Sequence, residues 1–366
     1  MGSNSRPADL GRICMARTVG RYRGEGLGNE IFPWAKAYLA SRELGFGLLP
    51  PPWGLNRRGY WKDFGTSRLD WFGHRALRAV MPTVTVTDEM IRSTGETDYG
   101  AAIRVLDAEF GWSQRRSLLL VHRGMSGGLL GIARSRNYFR NTLLGRLPHV
   151  SLEDHQPGSD RIHVAVHVRL GDFEDTTATG PGPGDTNESL PAEWYRSVLS
   201  ALREQFGEML HVEIMSDDPS KAARLLPEWS RSIARPRRTL EDLSVMAAAD
   251  LLVCSISTFS MLAAFLSDAP YIWFRPHLDE SEGFLSIWGF RPEQRTGRTA
   301  ANIRQEQRDP SGMPARGAAM GMGDDVPAWL ADYLRMRVAL RRRSADLIHF
   351  GAIPKSSETV FTPSGP

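Results

Sequence analysis

The stretch Ile162-His163-Val164-Ala165-Val166-His167-Val168 decides the fold class of this chain, because four of its seven residues are β-branched. Such a run is typical of a parallel strand that is buried on both faces. It ends in Arg169-Leu170-Gly171-Asp172, where the glycine and the aspartate indicate a turn. From this strand to residue 274 the pattern alternates between strands and helices, which predicts an α/β protein with an open parallel sheet and helices on both faces.

A strand, a glycine turn and a helix are predicted near the start of the sequence. The strand covers about residues 12–19, the turn is Arg23-Gly24-Glu25-Gly26-Leu27-Gly28-Asn29, and the helix runs from Glu30 to Leu44 with Asn29 as its cap. The turn departs from the dinucleotide-binding fingerprint, because Asn29 stands where the third glycine belongs and no acidic residue ends the next strand. A nicotinamide-dependent oxidoreductase is therefore not favoured.

The length of 366 residues predicts two domains, since a single core seldom grows beyond about 250–300 residues. We place an N-terminal domain at residues 1–150 and a second domain at residues 151–325, each with its own parallel sheet. A C-terminal helix and tail occupy residues 326–366. The region from Arg295 to Asp325 is rich in glycine, methionine and arginine and is predicted to be a long loop.

The composition excludes several classes of protein. The two cysteines, Cys14 and Cys254, have no partners at disulfide or zinc spacing, so we expect neither a disulfide scaffold nor a structural metal. The formal net charge is +3, and the basic run from Arg335 to Arg343 contains no aromatic residue, which argues against a nucleic-acid partner. The sequence shows no apolar run of about eighteen residues and no hydrophobic stretch after its first six residues, so we expect a cytoplasmic protein with neither a secretory leader nor a membrane span.

Three predicted strand ends in the second domain carry polar side chains. The carboxyl ends of parallel strands share one edge of a sheet, which is the edge where α/β proteins bind ligands. An arginine there offers a fork of donors to a diphosphate, and hydroxyl and N–H groups at a helix start offer an anion site. Turn formation and helix capping are the alternative roles of these residues. The candidate binding residues are His167, Arg169, Asp172, Ser216, Asp217, Asp218, Ser255, Ser257, Thr258, Phe259 and Ser260.

The three strand ends together indicate a nucleotide diphosphate as the ligand. The sequence contains no Asp-x-Asp triplet, the pattern with which many sugar transferases hold a diphosphate through a metal ion. We therefore expect neither a metal nor another cofactor, and Arg169 and a helix N-terminus would have to neutralise the diphosphate.

Four segments resemble, in order and spacing, the motifs of the fucosyltransferases of the α-1,2 and α-1,6 group, and more distantly those of the protein O-fucosyltransferases. Gly26-Leu27-Gly28-Asn29-Glu30-Ile31-Phe32 is similar to the N-terminal Gly-Leu-Gly-Asn-Gln-x-Phe motif. The segment from His167 to Asp172 is similar to the His-x-Arg-Arg-x-Asp motif, that from Ser216 to Ser220 to the second motif, and residues 242–260 to the third. The resemblance spans roughly residues 12–275.

This resemblance implies a GT-B-type fold, in which two Rossmann-like domains face each other across a cleft. It also implies a GDP-sugar donor held mainly by the domain at residues 151–325, with GDP-fucose as the usual donor, and it makes the domain at residues 1–150 the acceptor-side domain. The reaction would be an inverting, metal-independent transfer to a hydroxyl of a saccharide or small-molecule acceptor. Gly26, Gly28 and Asn29 join the donor-binding candidates. Leu170 stands where the family has a second arginine, which leaves Arg169 to face the β-phosphate and stabilise the leaving group.

The general base has two candidate positions. One class of protein O-fucosyltransferases carries its base in a Gly-Glu-Gly turn similar to the one around Glu25. The α-1,6 enzymes place a glutamate after the arginine motif, and the matching position here is about Thr177, close to Glu174 and Asp175. We take Glu25 as the first candidate and keep Glu174 and Asp175 as the alternative. A transfer without a side-chain base, or with a base that these motifs do not identify, also stays open.

Two alternative functions stay open at this point. The first is a transferase that uses another GDP-sugar, such as a mannose-derived donor, because these motifs do not encode the sugar pocket. The second is a catalytically silent protein that binds a nucleotide sugar. Slow hydrolysis of the donor distinguishes an enzyme from such a binding protein.

Overall fold

The structure is a computed structural model, which describes residues 9–18, 24–144, 160–171, 180–181, 188–267, 269–277 and 317–343. The described residues form two compact units, of which the first ends at Tyr138 and the second begins at Phe139. No helix among these residues is both long and apolar enough to cross a lipid bilayer.

The first unit is built on a parallel sheet of four strands in the order β2-β1-β4-β3. Its strands are β1 (Asp9–Ala16), β2 (Phe46–Leu49), β3 (Thr83–Val86) and β4 (Leu118–His122). Its helices are α1 (Leu27–Leu44), α2 (Trp61–Phe64), α3 (Arg68–Val80), α4 (Asp88–Ser93), α5 (Tyr99–Phe110), α6 (Gly128–Gly131) and α7 (Arg136–Phe139), the last of which crosses the boundary between the units.

The second unit is built on a parallel sheet of five strands in the order β6-β5-β7-β8-β9. Its strands are β5 (Ile162–Val168), β6 (Leu210–Ser216), β7 (Leu251–Val253), β8 (Tyr271–Phe274) and β9 (Gly317–Met320). Its helices are α8 (Ala192–Phe206), α9 (Pro219–Leu225), α10 (Thr239–Ala248), α11 (Thr258–Leu266) and α12 (Ala328–Arg343).

The predicted α/β class with two Rossmann-like sheets is confirmed. All residues of β4, β5, β7 and β8 are buried, as expected of parallel strands that helices cover on both faces. In the first sheet the chain adds strands to one side of β1 and then to the other, and in the second sheet it does the same around β5. Each sheet therefore has a topological switch point at its carboxyl edge, between β1 and β4 and between β5 and β7.

Two details of the predicted elements are wrong. α1 begins at Leu27 with Gly26 as its N-cap, so Asn29 lies in the first turn and does not cap the helix. The N–H of Leu27 donates to the hydroxyl of Tyr60 at 2.8 Å, so a distant tyrosine satisfies the helix start. The predicted loop from Arg295 to Asp325 contains β9, which pairs with β8. Its Gly-Ala-Ala-Met sequence lacks the β-branched residues that indicate a strand.

A buried ion pair ties the last described helix to the second sheet. The guanidinium of Arg337 on α12 is fully buried, and its Nε donates to Oδ1 of Asp250 at 3.0 Å. Asp250 stands immediately before β7, and its Oδ2 accepts the backbone N–H of His163 on β5 at 2.9 Å. One carboxylate therefore joins a helix and two strands, and removing either charge of such a pair typically costs about 3–5 kcal/mol.

Candidate active site

The candidate site of the second unit lies at the switch point between β5 and β7. His167 is the last but one residue of β5, and Arg169, Leu170 and Gly171 follow that strand directly. Ser255 follows β7 after one residue, and α11 begins shortly afterwards. Parallel pairing of the two strands brings these segments to the same edge of the sheet, as the sequence predicts.

A buried cluster of serine hydroxyls surrounds one nitrogen of His167. The Nδ1 atom lies 2.9 Å from Ser255 Oγ, 2.8 Å from Ser260 Oγ and 3.4 Å from Ser257 Oγ. Ser255 Oγ is in turn 3.1 Å from the hydroxyls of both Ser257 and Ser260. These hydrogen bonds fix the segment before α11 against β5, and the ring of Phe259 lies 5.4 Å from the imidazole.

His167 is neutral at physiological pH. Burial, followed by the positive charge of Arg169, lowers the pKa of His167 to about 4, although the carboxylate of Asp217 opposes the shift. A neutral imidazole adds no positive charge for an anionic ligand. In this structure His167 acts as a hydrogen-bonding centre that positions the serine-rich segment.

Asp217 organises the turn that follows β5. Its Oδ1 accepts the N–H of Leu170 at 2.8 Å, and its Oδ2 accepts the N–H of Gly171 at 2.9 Å. Oδ2 also lies 2.9 Å from Nη1 of Arg169. A Cβ atom on Gly171 would stand 2.6 Å from Oδ2, so this close approach requires glycine. We call Arg169, Leu170, Gly171 and Asp217 the arginine clamp, because the carboxylate fixes both the turn and the guanidinium.

The polar residues around Asp217 cap a helix. Asp218 is the N-cap of α9, and its Oδ1 accepts the N–H of Lys221 at 2.8 Å. The hydroxyl of Ser216 accepts the N–H of Asp218 at 3.2 Å. The structure thus gives Ser216 and Asp218 the capping role that the sequence left as the alternative, and their contact with a nucleotide stays a prediction.

The N-terminus of α11 supplies backbone donors at the same edge. Ser257 is the N-cap, and its hydroxyl accepts the N–H of Ser260 at 3.2 Å. The N–H groups of Thr258 and Phe259 belong to the first turn, where a helix offers no carbonyl partner. Such N–H groups and the helix dipole together favour an anion. The arginine clamp therefore offers a guanidinium and this helix start offers backbone N–H groups, and both are donors that suit a diphosphate.

The glycine turn of the first unit holds Glu25 by its backbone and leaves its side chain exposed. The N–H of Glu25 donates to Oε1 of Glu30 at 2.7 Å, and Nδ2 of Asn56 donates to the Glu25 carbonyl at 3.2 Å. Gly24 has φ +75°, and a Cβ there would stand 2.7 Å from Glu30 Oε1. The fully buried Glu30 is a positioning residue that sequence reasoning missed, although an acidic residue beside a glycine turn is a usable signal.

The other candidates of the glycine turn are Gly26, Gly28 and Asn29, and their structural roles differ. Gly26 caps α1, and a Cβ on it would stand 3.8 Å from Nε of Arg58, an ordinary contact. Gly28 is buried within α1. The Oδ1 atom of Asn29 is buried and has no hydrogen-bond partner among the residues that the structure describes. An acceptor of this kind beside the turn fits a ligand-facing role for Asn29.

Three predicted site residues, Asp172, Glu174 and Asp175, lie outside the described residues. Across the described ranges, no three His, Cys, Asp or Glu side chains converge as a metal site requires.

A second polar cluster, which the sequence did not predict, lies at the switch point of the first sheet. Lys36 on α1 is buried, and its Nζ donates to Ser126 Oγ at 3.0 Å and lies 3.8 Å from Asp88 Oδ1. Burial lowers the pKa of Lys36 to about 8, although Asp88 opposes the shift. The buried His122 at the end of β4 shares a hydrogen bond of 2.8 Å with the hydroxyl of Tyr99, and burial lowers its pKa to about 3.

Comparison with known proteins gives structural similarity only. Neither a protein-family model nor a curated protein matches this chain. A structure of POFUT1 in complex with GDP-fucose has 14% sequence identity and a TM-score of 0.40, covering 72% of this chain and 96% of that one. A structure of POFUT1 in complex with GDP has 14% identity and a TM-score of 0.35, over 72% and 96% of the chains. E. coli heptosyltransferase WaaC with ADP has 13% identity and a TM-score of 0.38, over 80% and 98%.

Proposed function

We propose that this chain is an inverting, metal-independent glycosyltransferase with a GT-B-type fold. It would transfer a sugar, L-fucose in the first instance, from a GDP-sugar to a hydroxyl of a saccharide or small-molecule acceptor. The observation that carries the proposal is the arginine clamp beside the N-terminus of α11, at the switch point of the second sheet. The motif resemblance to the fucosyltransferases adds the identity of the donor.

The clamp is suited to a diphosphate because its arginine is fixed before the ligand arrives. Asp217 holds Arg169 and also the two N–H groups that follow it, so the guanidinium position depends on a rigid turn. The guanidinium remains partly exposed at the strand end. A preorganised donor of this kind stabilises charge without reorganising during the reaction.

The hydrogen bonds around His167 perform the same task for the helix start. Two serines that precede α11, Ser255 and Ser257, and one in its first turn, Ser260, bind the imidazole. The N–H groups of Thr258 and Phe259 are therefore held at the carboxyl edge of the sheet. When the bond between the sugar and the diphosphate breaks, the leaving phosphate gains negative charge, and these N–H groups and Arg169 would stabilise it.

Glu25 is the proposed general base. Its backbone is held by Glu30 and Asn56, while its carboxylate is exposed. In the proposed step the acceptor hydroxyl gives its proton to the carboxylate, and the oxygen attacks the anomeric carbon as the bond to the diphosphate breaks. The products are the glycoside with inverted configuration and GDP. Glu174 and Asp175 are the alternative bases.

The first experiment is a thermal-shift series with GDP, UDP, dTDP, ADP and NAD, with and without a chelator. We expect a selective shift with GDP that the chelator does not change. Arg169→Ala should abolish the shift, and Arg335→Ala, which removes an exposed arginine of α12, should retain it. Stabilisation by a different nucleotide, or no response to GDP at millimolar concentration, would contradict the proposed donor.

One observation favours a second candidate, a protein that binds a nucleotide sugar without transferring it. Leu170 is buried and donates its N–H to Asp217, so its position offers no second guanidinium to the leaving group. The two functions differ in donor hydrolysis. Slow release of GDP from GDP-fucose by the wild type, and a markedly slower release by Arg169→Ala, would support the transferase, whereas binding without release would support the second candidate.

A further inference from the structure

Helix α3 exposes an apolar stripe on the side that faces away from the first sheet. None of its thirteen residues is buried. Leu69 and Val80 are 77% and 78% exposed, and Phe72 is 57% exposed. Together with Ala76 they occupy positions i, i+3, i+7 and i+11, which lie on one face of a helix. The stripe extends for about 16 Å along the helix, given the rise of about 1.5 Å per residue.

The opposite face of α3 is fixed to the protein, so the exposed stripe has a defined direction. Leu77 and the following Met81 pack against the core cluster of Met15, Leu119 and Val121. The helix start is closed by Ser67, whose hydroxyl accepts the N–H of Leu69 at 3.1 Å. α3 is therefore a formed helix whose apolar stripe has no partner among the described residues.

The sequence segment that contains the stripe is basic and aromatic. The segment from Arg57 to Val80 contains six lysines and arginines and only two acidic residues. One of these acids, Asp70, accepts the N–H of Ser67 in the helix cap. Trp61 on α2 is 46% exposed, and Nζ of Lys62 lies 5.5 Å from its ring centre. The basic residues of this segment are Arg57, Arg58, Lys62, Arg68, Arg75 and Arg78.

We propose that the outward face of α3 binds the surface of a membrane that contains anionic lipids. Exposed apolar side chains along a basic helix with a neighbouring tryptophan are the features of helices that lie in the plane of the interface. Leu69, Phe72 and Val80 would enter the boundary of the acyl chains, while Arg68 and Arg75, which flank one side of the stripe, meet the anionic headgroups. The positive charge of the segment favours anionic lipid over a neutral bilayer.

The test is co-sedimentation of the full chain with vesicles of phosphatidylcholine alone and with vesicles that also contain phosphatidylglycerol. We expect binding to the anionic vesicles, weaker binding at high salt, and little binding to the neutral ones. The double variant Leu69→Asp with Phe72→Asp should bind at least about tenfold more weakly, because two apolar side chains are lost from the interface. Val105→Asp is the matched control, since Val105 is a 42% exposed apolar residue of α5 in the same unit.

A second variant tests the contribution of positive charge separately from that of the apolar stripe. Arg68→Gln with Arg75→Gln keeps the apolar stripe and should weaken binding to the anionic vesicles by several-fold. A wild type that stays in the supernatant with both kinds of vesicle overturns the proposal. So does a wild-type dimer that Leu69→Asp dissociates, since the face would then be a subunit interface. The GDP thermal shift should be the same in all these variants, so failure here is distinct from failure of the proposed transferase.

Discussion

At the carboxyl edge of each sheet a histidine stands at or next to the end of an inner strand. His122 closes β4 in the first unit, and His167 is the last but one residue of β5 in the second. Burial lowers the pKa of both, to about 3 and about 4. The partners differ, because three hydroxyls surround Nδ1 of His167, whereas Nε2 of His122 is buried without a partner among the described residues.

This difference extends to the charges at the two edges. At the carboxyl edge of the second sheet, the cation Arg169 lies against the carboxylate of Asp217, which also accepts two backbone N–H groups. At the carboxyl edge of the first sheet, the cation Lys36 is buried. Its Nζ donates to the hydroxyl of Ser126 and lies 3.8 Å from Oδ1 of the half-exposed Asp88. Two sheets that both have a switch point therefore place a partly exposed, preorganised cation in the second unit and a desolvated amine in the first. Only the arrangement in the second unit, with the partly exposed Arg169, is suited to holding a diphosphate.

The largest effect is expected at the glycine turn of the first unit. Glu25→Gln removes the proposed base and should lower the rate of sugar transfer by about 10²- to 10⁴-fold, while the GDP thermal shift stays unchanged. The matched control is Glu96→Gln, which removes an exposed carboxylate of the same unit and should leave the rate unchanged. A full rate in Glu25→Gln would exclude Glu25 as the base and would make Glu174 and Asp175 the next residues to replace.

A smaller effect is expected from the arginine clamp. Gly171→Ala places a Cβ 2.6 Å from Asp217 Oδ2, so the carboxylate must move and its bonds to two backbone N–H groups weaken. We expect a loss of about 1–3 kcal/mol in the free energy of unfolding, together with weaker GDP binding. Gly73→Ala is the control, because a Cβ there meets nothing within 4 Å. Equal stability of the two variants in urea denaturation would show that the clamp is not rigid.

The smallest effect is the pH dependence that Lys36 gives to the first unit. Its pKa is lowered from 10.5 to about 8, so between these values the unfolded chain binds more protons than the folded one. The contribution of Lys36 to stability therefore rises with pH in this range. Between about pH 7.5 and about pH 9, the difference in unfolding free energy between wild type and Lys36→Met should change by about 1 kcal/mol in favour of the wild type.

The control for this pH dependence is Lys62→Met, which removes an exposed lysine of the same unit. Its stability difference from the wild type should stay constant over the same range. A constant difference for Lys36→Met as well would contradict the desolvation of this amine.

The sequence predicts the inner strands and the serine-rich segment because their signals are local. Seven consecutive residues identify β5, and four hydroxyls within six positions identify the start of α11. The bonds of Asp217 to the turn after β5 join residues 46 and 47 positions apart, so no local pattern shows them. The cap of α1 was predicted wrongly for the same reason, because Tyr60 satisfies Leu27 from 33 positions away.

The buried Lys36 shows a different limit. A single lysine within an amphipathic helix pattern indicates an exposed position, since lysine is seldom fully buried without a partner. Its partners, Ser126 and the carbonyl of Arg123, follow β4 and reach it only when the sheet has formed. Likewise, β9 consists of small residues, and its strand conformation depends on pairing with β8.

The ion pair between Asp250 and Arg337 has a consequence for the order in which the protein is made. A ribosome adds Arg337 87 residues after Asp250, and the carboxylate has no counter-charge from α12 during that interval. At about 5–20 residues per second this delay lasts several seconds, which is long compared with the folding of a small domain. Strands β5 to β8 can pair before α12 is made, but they cannot bury Asp250 in its final state until α12 has left the ribosome. Completion of the second unit therefore waits for the synthesis of α12.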